Sequence, residues 1–495
     1  MQSAGGIHFP LQRLPSELLL PIAGYLNAVD KNDLISLSLV SRTMRPIAQE
    51  VLHQTIKLSF SQDYSKRVHK LLRVLRTLMD RPDLALQVHA LEFLAYTIFF
   101  GRLDKPLWLN FQDTQKTAAD LVASLEPGDE KHWLTDIRLQ CESAYAGLLL
   151  VLAPNLQSLR MRIAGLSSSE EILLYPQSLV RIFGPKIPVP LAERILGSIE
   201  TLSIHTASQV FYLMLRMPKL KSLRIEYVHL VDFDRIPLQS IIGASGVKRL
   251  SLHISIGFFL NDLLESHAGL GPLLSHLACT SLTHLELEIW NDIGSDDYTH
   301  ADSRNIVKNI EPFISTLESL VIKWDEEGGK NNTTGSLTPT LNLKHFTNLK
   351  RISVPSGSFS WVEEGFRCDD ASVMLPLSIQ EVEISDINAS IMDGIRRLRI
   401  QDAAWSFPNL TQIKLRCKKT YQVEYYSDLP GFGDEDSDVD DEGSEGYVTT
   451  SSILSKDQDT WRYLLEHGVQ CMVYDEGTRG WHKLGIEPIK NDRIQ

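Results

Sequence analysis

Residues 11–52 read LQRLPSELLLPIAGYLNAVDKNDLISLSLVSRTMRPIAQEVL and carry the patterns of three short helices. Pro15 suits the first turn of a helix, where the backbone needs no amide hydrogen. The residues after it recur at helical spacing and predict one apolar face, formed by Leu18, Leu19, Ile22, Tyr25 and Leu26. A unit of this size buries too little surface to be very stable alone. We therefore expect its remaining apolar face to be covered by a partner or by the following domain.

The second and third helices are marked by their entry residues. Asp30 and Asn32 are typical caps, and they predict a helix from about residue 33 to residue 40. Ser41 and Pro46 flank the entry to the third helix, and Pro46 predicts that this helix starts late. The apolar residues of the two helices are Leu34, Leu37 and Leu39, then Ile47, Ala48, Val51 and Leu52.

This stretch resembles the F-box, the motif by which substrate receptors of cullin-based ubiquitin ligases bind a Skp-type adaptor. The matching positions are Leu14, Pro15, Glu17, Leu18, Leu19, Ile22, Tyr25, Leu26, Leu34, Leu37, Val40, Ser41, Arg42, Arg45 and Ala48. The resemblance implies that the adaptor binds through Leu14, Pro15, Glu17, Leu18, Ile22, Leu26, Leu34, Leu37, Val40, Ser41 and Arg42. It covers about forty of 495 residues, and a small helical cap with no partner is the alternative.

The composition is that of an ordinary folded protein, with 43% apolar and 22% charged residues. The net charge of −13 argues against general nucleic-acid binding, which needs a basic surface. The five cysteines are odd in number and far apart, so they favour neither a zinc site nor a disulfide framework. The sequence shows no signal peptide and no apolar run long enough to span a membrane, and the expected location is the cytoplasm, the nucleus or both.

A short apolar phrase recurs along the body of the chain. In each copy the second apolar residue follows the first after three positions, and the third follows after two more. The copies are Leu156-Leu159-Met161, Ile199-Leu202-Ile204, Leu220-Leu223-Ile225, Val247-Leu250-Leu252, Leu282-Leu285-Leu287, Leu317-Leu320-Ile322, Leu349-Ile352-Val354, Ile379-Val382-Ile384 and Leu410-Ile413-Leu415, with Val88-Leu91-Phe93 earlier. From Ile199 onward the copies are 21 to 35 residues apart. Each phrase predicts one short strand whose last two apolar residues point into the core.

The segments between the phrases carry helical patterns, as at 206–217, 258–277 and 304–317. Alternating strands and helices predict an α/β fold in which a curved parallel sheet has its helices outside. This layout resembles an irregular leucine-rich-repeat solenoid. An ordinary α/β domain with parallel strands is the alternative, because the repeat length varies and the Asn or Cys of the regular repeat is mostly missing.

The residues that flank the core positions would line the concave face of such a solenoid and are the candidates for substrate binding. They are Arg160, Arg162, His205, Arg224, Glu226, His253, Glu286, Glu288, Lys323, Lys414 and Arg416. Basic residues come at the two ends and acidic ones toward the middle, which suits a protein or peptide partner better than a uniform polyanion. Each residue taken singly is better explained as a solvated strand position. Trp290 and Trp324 fit either anchors for a partner or packing against the next loop.

The remaining segments complete the predicted domain organisation. Residues 1–9 form a flexible N-terminus, 10–56 the F-box-like segment, 57–153 a helical connector and N-terminal cap, and 154–426 the repeat-like substrate-binding domain. Residues 427–455 are predicted to be a disordered acidic loop, because eight of the twelve residues from Asp434 to Glu445 are acidic. A helical pattern and then an alternating one predict a closing repeat within 456–495.

Catalytic motifs are missing from the sequence, which has no phosphate-binding loop, no Gly-X-Ser-X-Gly elbow and no His-Glu-X-X-His. We therefore expect a chain without a cofactor, a metal or an active site. The resemblance implies a substrate-recognition subunit of a Skp–cullin–F-box ubiquitin ligase, with the adaptor, cullin and a protein substrate as partners. Such a subunit acts by proximity. The alternatives are a scaffold that binds the adaptor without promoting ubiquitin transfer, and an enzyme whose polar pocket the sequence does not reveal.

Overall fold

A computed structural model describes residues 14–29, 31–40, 42, 44–58, 64–96, 111–125, 130–138, 142–164, 189–205, 217–228, 246–255, 270–271, 274, 279, 281–290, 300–324, 336–338, 341–358, 362–363, 366–367, 374–385, 395, 407–416, 458–475 and 480–484. The chain divides into two compact units. The first unit comprises Met1–His229 and Pro237–Val247, and the second comprises Leu230–Ile236 and Lys248–Gln495. No helix of the described residues is long and apolar enough to cross a membrane.

Three helices open the first unit, as the sequence predicts: α1 (Ser16–Val29), α2 (Lys31–Val40) and α3 (Met44–Gln54). Helix α1 begins directly after Pro15, whose carbonyl accepts hydrogen bonds from the amides of Leu18 and Leu19. The predicted late start of α3 is wrong, because the helix begins two residues before Pro46. A proline in the first turn removes an amide that has no helical partner there, so it does not delay the helix.

The core of the three helices is small. Ala23, Leu34, Ala48 and Val51 are almost fully buried, and Leu20, Leu37, Ile47 and Leu52 pack against them. Each of the three helices contributes to this core, with Ala23 from α1, Leu34 from α2, and Ala48 and Val51 from α3. Because so few side chains are buried, the packing leaves other apolar residues of α1 and α2 at the surface.

The rest of the first unit alternates helices with a parallel sheet. Its helices are α4 (Tyr64–Asp80), α5 (Pro82–Ala85), α6 (Phe111–Leu125), α7 (Glu130–Arg138), α8 (Glu142–Leu152) and α9 (Val189–Leu196). Its strands are β1 (Thr55–Lys57), β2 (Ala90–Tyr96), β3 (Ser158–Ala164), β4 (Thr201–His205) and β5 (Ser222–Val228). The strands pair in parallel in chain order. The sheet therefore begins well before residue 154, the predicted start of the repeat-like domain.

The second unit continues the same alternation. Its strands are β6 (Arg249–Ser255), β7 (His284–Trp290), β8 (His300–Asp302), β9 (Ser319–Trp324), β10 (Ser336–Thr338), β11 (Arg351–Pro355), β12 (Val362–Glu363), β13 (Phe366–Arg367), β14 (Glu381–Ser385), β15 (Gln412–Arg416), β16 (Gln470–Asp475) and β17 (Gly480–Lys483). Its described helices are α10 (Ser303–Ile310) and α11 (Gln458–Glu466). The main sheet runs β6-β7-β9-β11-β14-β15-β16-β17, parallel except for the last pair. Strand β8 pairs with β10, and β12 with β13.

The recurring apolar phrase forms the core in both units. Every one of its residues from Leu156 to Leu415 is at most 6% exposed. On β7 the burial alternates strictly, with Leu285, Leu287 and Ile289 inside. Burying one such side chain contributes roughly 1.5–3 kcal/mol. The predictions of one strand per phrase, and of its last two apolar residues pointing inward, are confirmed.

Successive repeats are joined by the same hydrogen bonds just before each strand. The carbonyl of His89 accepts from the amides of Gln157 and Ser158, at 2.8 and 2.9 Å. The carbonyl of Thr283 accepts from Glu318 and Ser319 in the same way, at 2.8 and 3.0 Å. Three asparagine side chains that precede a phrase also donate to a carbonyl of the preceding repeat: Asn155 to Leu86, Asn348 to Ser315 and Asn409 to Leu377. A backbone ladder of this kind holds repeats in register, and it explains why asparagine precedes these phrases.

The C-terminal helix and strand predicted within 456–495 are α11 and β16. Helix α11 ends at a left-handed residue, Gly468, with φ +82°. The amide of Val469 donates to the carbonyl of Leu464 at 2.8 Å, and that of Gly468 to Leu465 at 3.0 Å. These two bonds form a Schellman motif, in which glycine takes the left-handed position without steric penalty.

Some of the remaining predictions concern described residues, and the others concern residues that the structure does not describe. Helices α4 to α8 lie within 57–153, the predicted helical connector. Helix α10 confirms the first part of the helical pattern at 304–317, and a 3-10 helix follows it at Glu311–Phe313. The flexible N-terminus at 1–9, the acidic loop at 427–455, and almost all of the predicted helices at 206–217 and 258–277 lie outside the described residues.

Candidate functional site

Helix α1 presents a stripe of apolar side chains to solvent. Leu18, Ile22 and Tyr25 are 53%, 38% and 72% exposed. Their spacing of four and then three residues places them on one side of the helix. The opposite side carries Leu19 and Ala23, which are buried. Helix α1 therefore packs one face into the core of the three helices and exposes a second apolar face to solvent.

Helix α2, which packs against α1, shows the same division. Ile35 and Leu39, four residues apart, are 42% and 72% exposed, whereas Leu34 is fully buried. Five of the eight exposed large apolar side chains of the described residues lie on these two helices. We call the set Leu18, Ile22, Tyr25, Ile35 and Leu39 the docking face. A concentration of exposed apolar side chains is typical of a protein-interaction surface.

The predicted adaptor-binding residues are distributed over this region. Leu18 and Ile22 lie on the docking face, and Pro15, Glu17 and Arg42 are exposed beside it in the sequence. Leu14, Leu26 and Leu37 are half-buried, Val40 ends α2, and Ser41 lies outside the described residues. Leu34 is 0% exposed, so it supports the docking face from within the core.

The prediction omitted three residues of the docking face, namely Tyr25, Ile35 and Leu39. Helical spacing could have identified them, because Tyr25 continues the stripe of Leu18 and Ile22. The sequence pattern alone leaves open which of two apolar stripes on a helix is buried, and the packing of α3 against α1 and α2 decides this.

A second candidate surface lies on β2, β3, β4 and β5 in the first unit. The parallel register aligns residues of β3, β4 and β5 in two rows. One row consists of Arg160, Ser203 and Arg224, and the other of Arg162, His205 and Glu226. We call the set Arg160, Arg162 and Arg224, with Glu92, His205 and Glu226, the arginine cluster. All of it except Glu92 was predicted as substrate-binding.

Ion pairs connect most of the arginine cluster. Glu226 lies 3.2 Å from both Arg224 Nε and His205 Nδ1, and 3.5 Å from Arg160 Nη2. Arg160 also lies 3.4 Å from Glu92. The hydrogen bond from His205, together with the charges of Arg224 and Arg160, outweighs desolvation and lowers the pKa of Glu226 to about 2. Glu226 is therefore ionised at neutral pH and accepts hydrogen bonds only.

We expect the substitution E226Q to lower stability in a pH-dependent way. The folded-state pKa of Glu226 lies below the ordinary value of 4.5, so its stabilising effect is complete above the ordinary value and is lost as the pH falls toward 2. The variant should be less stable than wild type by about 1–2 kcal/mol at neutral pH. This difference should shrink between about pH 5 and about pH 3.

Urea unfolding across that pH range measures this difference. The matched control is E193Q, which removes the same charge from an exposed side chain of α9. A difference for E226Q that stays constant with pH, or that matches E193Q, would contradict the role assigned to the Glu226 carboxylate.

The predicted substrate-binding residues of the second unit mostly pair with one another or with neighbouring side chains. Lys323 Nζ lies 2.6 Å from Glu286, Arg416 Nη2 lies 3.4 Å from Glu383, and Lys414 pairs with Glu381. Arg416 also stacks over Tyr474 and Trp481, with its guanidinium carbon 4.6 and 5.7 Å from the ring centroids. The more exposed of these pairs, such as Lys323 with Glu286, contribute roughly 0.2–1 kcal/mol each.

The middle of the predicted substrate-binding surface is more buried than the sequence predicts. His253 is 7% exposed, and its ring meets Trp290 edge-on with the centroids 6.2 Å apart. Glu288 is half-buried on β7. Trp290 and Trp324 end successive strands, as predicted, and the indole nitrogen of Trp324 is buried without a hydrogen-bond partner among the described residues. Within the same part of the chain, no group of three or more His, Cys, Asp or Glu residues could hold a metal ion.

The comparisons with known proteins concern the N-terminal helices. No curated protein matches this chain. F-box domains in general bind Skp-type adaptors, and the proteins that carry them are generally non-catalytic adaptors. The family model that matches is described as the F-box domain and covers residues 11–52, which confirms the resemblance. Helices α1, α2 and most of α3, with the docking face on α1 and α2, are thus an F-box domain near the N-terminus of the chain.

Proposed function

We propose that this chain is the substrate-recognition subunit of a Skp–cullin–F-box ubiquitin ligase. The observation that carries the proposal is an F-box domain whose docking face is exposed. The five large apolar side chains of the docking face are 38% to 72% exposed to solvent. Covering one of them contributes on the order of 1 kcal/mol or more, so a complementary adaptor surface would bind this face with useful affinity. The chain would be located in the cytoplasm, the nucleus or both.

The substrate, in this proposal, binds to the strand-bearing part of the chain. We infer that, within each compact unit, the repeats are leucine-rich-repeat-like and stack as in a solenoid. Three observations support this inference: strands that pair in parallel in chain order, one buried phrase per strand, and the same hydrogen bonds from one repeat to the next. Repeat proteins of this kind bind partners through the exposed side chains of the strands.

The function of the chain would be positional. The F-box would attach it to the adaptor, and through the adaptor to cullin, while the repeats hold a protein substrate. Ubiquitin transfer would then be faster because the substrate lysines are kept near the charged conjugating enzyme, which replaces a bimolecular encounter.

Reconstitution with purified components tests this function. The full chain is mixed with a Skp-type adaptor and cullin, and the complex is analysed by size-exclusion chromatography. The activating and conjugating enzymes and ubiquitin are then added, and ubiquitin conjugates on the chain or on proteins captured by it are measured. We expect co-elution of all three proteins and conjugates that depend on the chain. Adaptor binding without cullin, or without any conjugates, would instead show a scaffold.

A further inference from the structure

The arginine cluster is separate from the docking face, and adaptor binding through that face gives it no role. It lies on strands β2 to β5, on the side opposite the buried phrase residues Leu159 and Met161. The side chains of Arg160 and Arg224 are 52% and 46% exposed, whereas those of Glu226 and His205 are only 17% and 16% exposed. The carboxylates therefore lie close to the sheet, and the guanidinium groups extend into solvent above them.

The ion pairs of the cluster fix the arginines without neutralising all of them. Glu226 contacts both Arg160 and Arg224, and Glu92 contacts Arg160. Three arginines and two glutamates leave a net charge of +1 when His205 is neutral. Arg162 is exposed and has no ion pair with any residue that the structure describes. Its guanidinium can therefore pair with an external carboxylate without breaking an ion pair of the described residues.

The spacing of the arginines indicates the shape of the ligand. Residues two apart on a strand are separated by about 7 Å, and alternate parallel strands by about 10 Å. The Cα atoms of Arg160 and Arg162 follow the first spacing, and those of Arg160 and Arg224 the second. Arg160 Nη2 and Arg224 Nε both contact the same oxygen of Glu226, Oε1, at 3.5 and 3.2 Å, so their guanidinium groups form one positive group. Arg162, which lies two strands away from Glu226 in the same register row, is a second positive group. Two separate positive groups match carboxylates along an extended chain better than one compact phosphate.

We propose that the arginine cluster binds an extended segment of a protein partner rich in aspartate and glutamate. This proposal rests on the proposed function in one respect: if the chain is the substrate-recognition subunit of a ubiquitin ligase, the acidic partner is its substrate. The chain as a whole carries a net charge of −13, which opposes an acidic ligand at long range. At physiological salt the screening length is about 8 Å, so this long-range repulsion is weakened more than the direct ion pairs between the arginines and the ligand. Binding therefore depends on the local arginines and not on the overall charge.

The test uses the full chain and a fluorescently labelled peptide of alternating glutamate and serine. Its binding is measured by fluorescence anisotropy, next to a peptide with glutamine at each glutamate and a serine peptide with a single phosphoserine. The informative variant is R162E, because Arg162 forms no ion pair with the described residues. The matched control is R73E, which makes the same charge change on an exposed residue of α4 in the same unit.

We expect the glutamate peptide to bind, the glutamine peptide not to bind, and R162E to weaken binding about tenfold while R73E changes it less than about twofold. Equal weakening by both variants, no binding of the glutamate peptide, or binding of the phosphoserine peptide alone would overturn the proposal. Adaptor binding is measured on the same preparations. Its loss would remove the proposed function but not the peptide site, so the two failures can be told apart.

Discussion

Replacing both Leu18 and Tyr25 by aspartate is expected to abolish binding of a Skp-type adaptor while the chain stays folded. The two side chains are 53% and 72% exposed, so neither belongs to the core of the three helices. A buried tyrosine anchor in an interface contributes about 2 kcal/mol or more, and burying an unpaired carboxylate costs several kcal/mol. The double variant should therefore lose affinity by at least about a thousandfold.

The measurement is co-purification with the adaptor, followed by titration calorimetry of the purified chain. Circular dichroism of the variant should match that of wild type. The matched control is Leu86→Asp, which makes one such substitution at a 51% exposed leucine of the same unit outside the F-box. Wild-type affinity in the control is expected. Retained binding by the double variant would show that the adaptor does not use the docking face, and no binding by wild type would remove the ubiquitin ligase function.

Replacing Trp461 by alanine is expected to destabilise the second unit severely. Trp461 is the largest fully buried side chain in the described part of the chain, and it lies on α11, which packs against β16. Removing a buried tryptophan costs roughly 3–5 kcal/mol, which is a large share of the 5–15 kcal/mol that stabilises a typical domain. The closing helix and strand should therefore lose their cooperative packing.

Urea unfolding followed by far-ultraviolet circular dichroism measures this effect without relying on tryptophan fluorescence. Leu465→Ala is the matched control, because Leu465 lies on the same helix but is 37% exposed. Its midpoint should move little. A Trp461→Ala midpoint that moves no more than the control would show that α11 does not stabilise the sheet in the way its burial indicates.

The parts of the fold that depend on local patterns were predictable from the sequence. The repeated phrase predicted the strands and the buried residues, because alternation along a strand determines which side chains share a face. The helical patterns at 304–317 and within 456–495 predicted α10 and α11 for the corresponding reason, and the helical connector predicted at 57–153 contains α4 to α8. The F-box resemblance predicted three helices at the N-terminus, and these are α1, α2 and α3.

The tertiary structure decided which apolar residues face the core and which face a partner. Leu34 and Leu39 are both leucines of α2, yet one is fully buried and the other is 72% exposed. The difference arises because α1 and α3 cover only one side of α2. The arginine cluster also depended on the tertiary structure, since Glu92, Arg160 and Glu226 are far apart in the sequence. Parallel pairing makes them neighbours, and its register depends on contacts between distant segments that no local pattern contains.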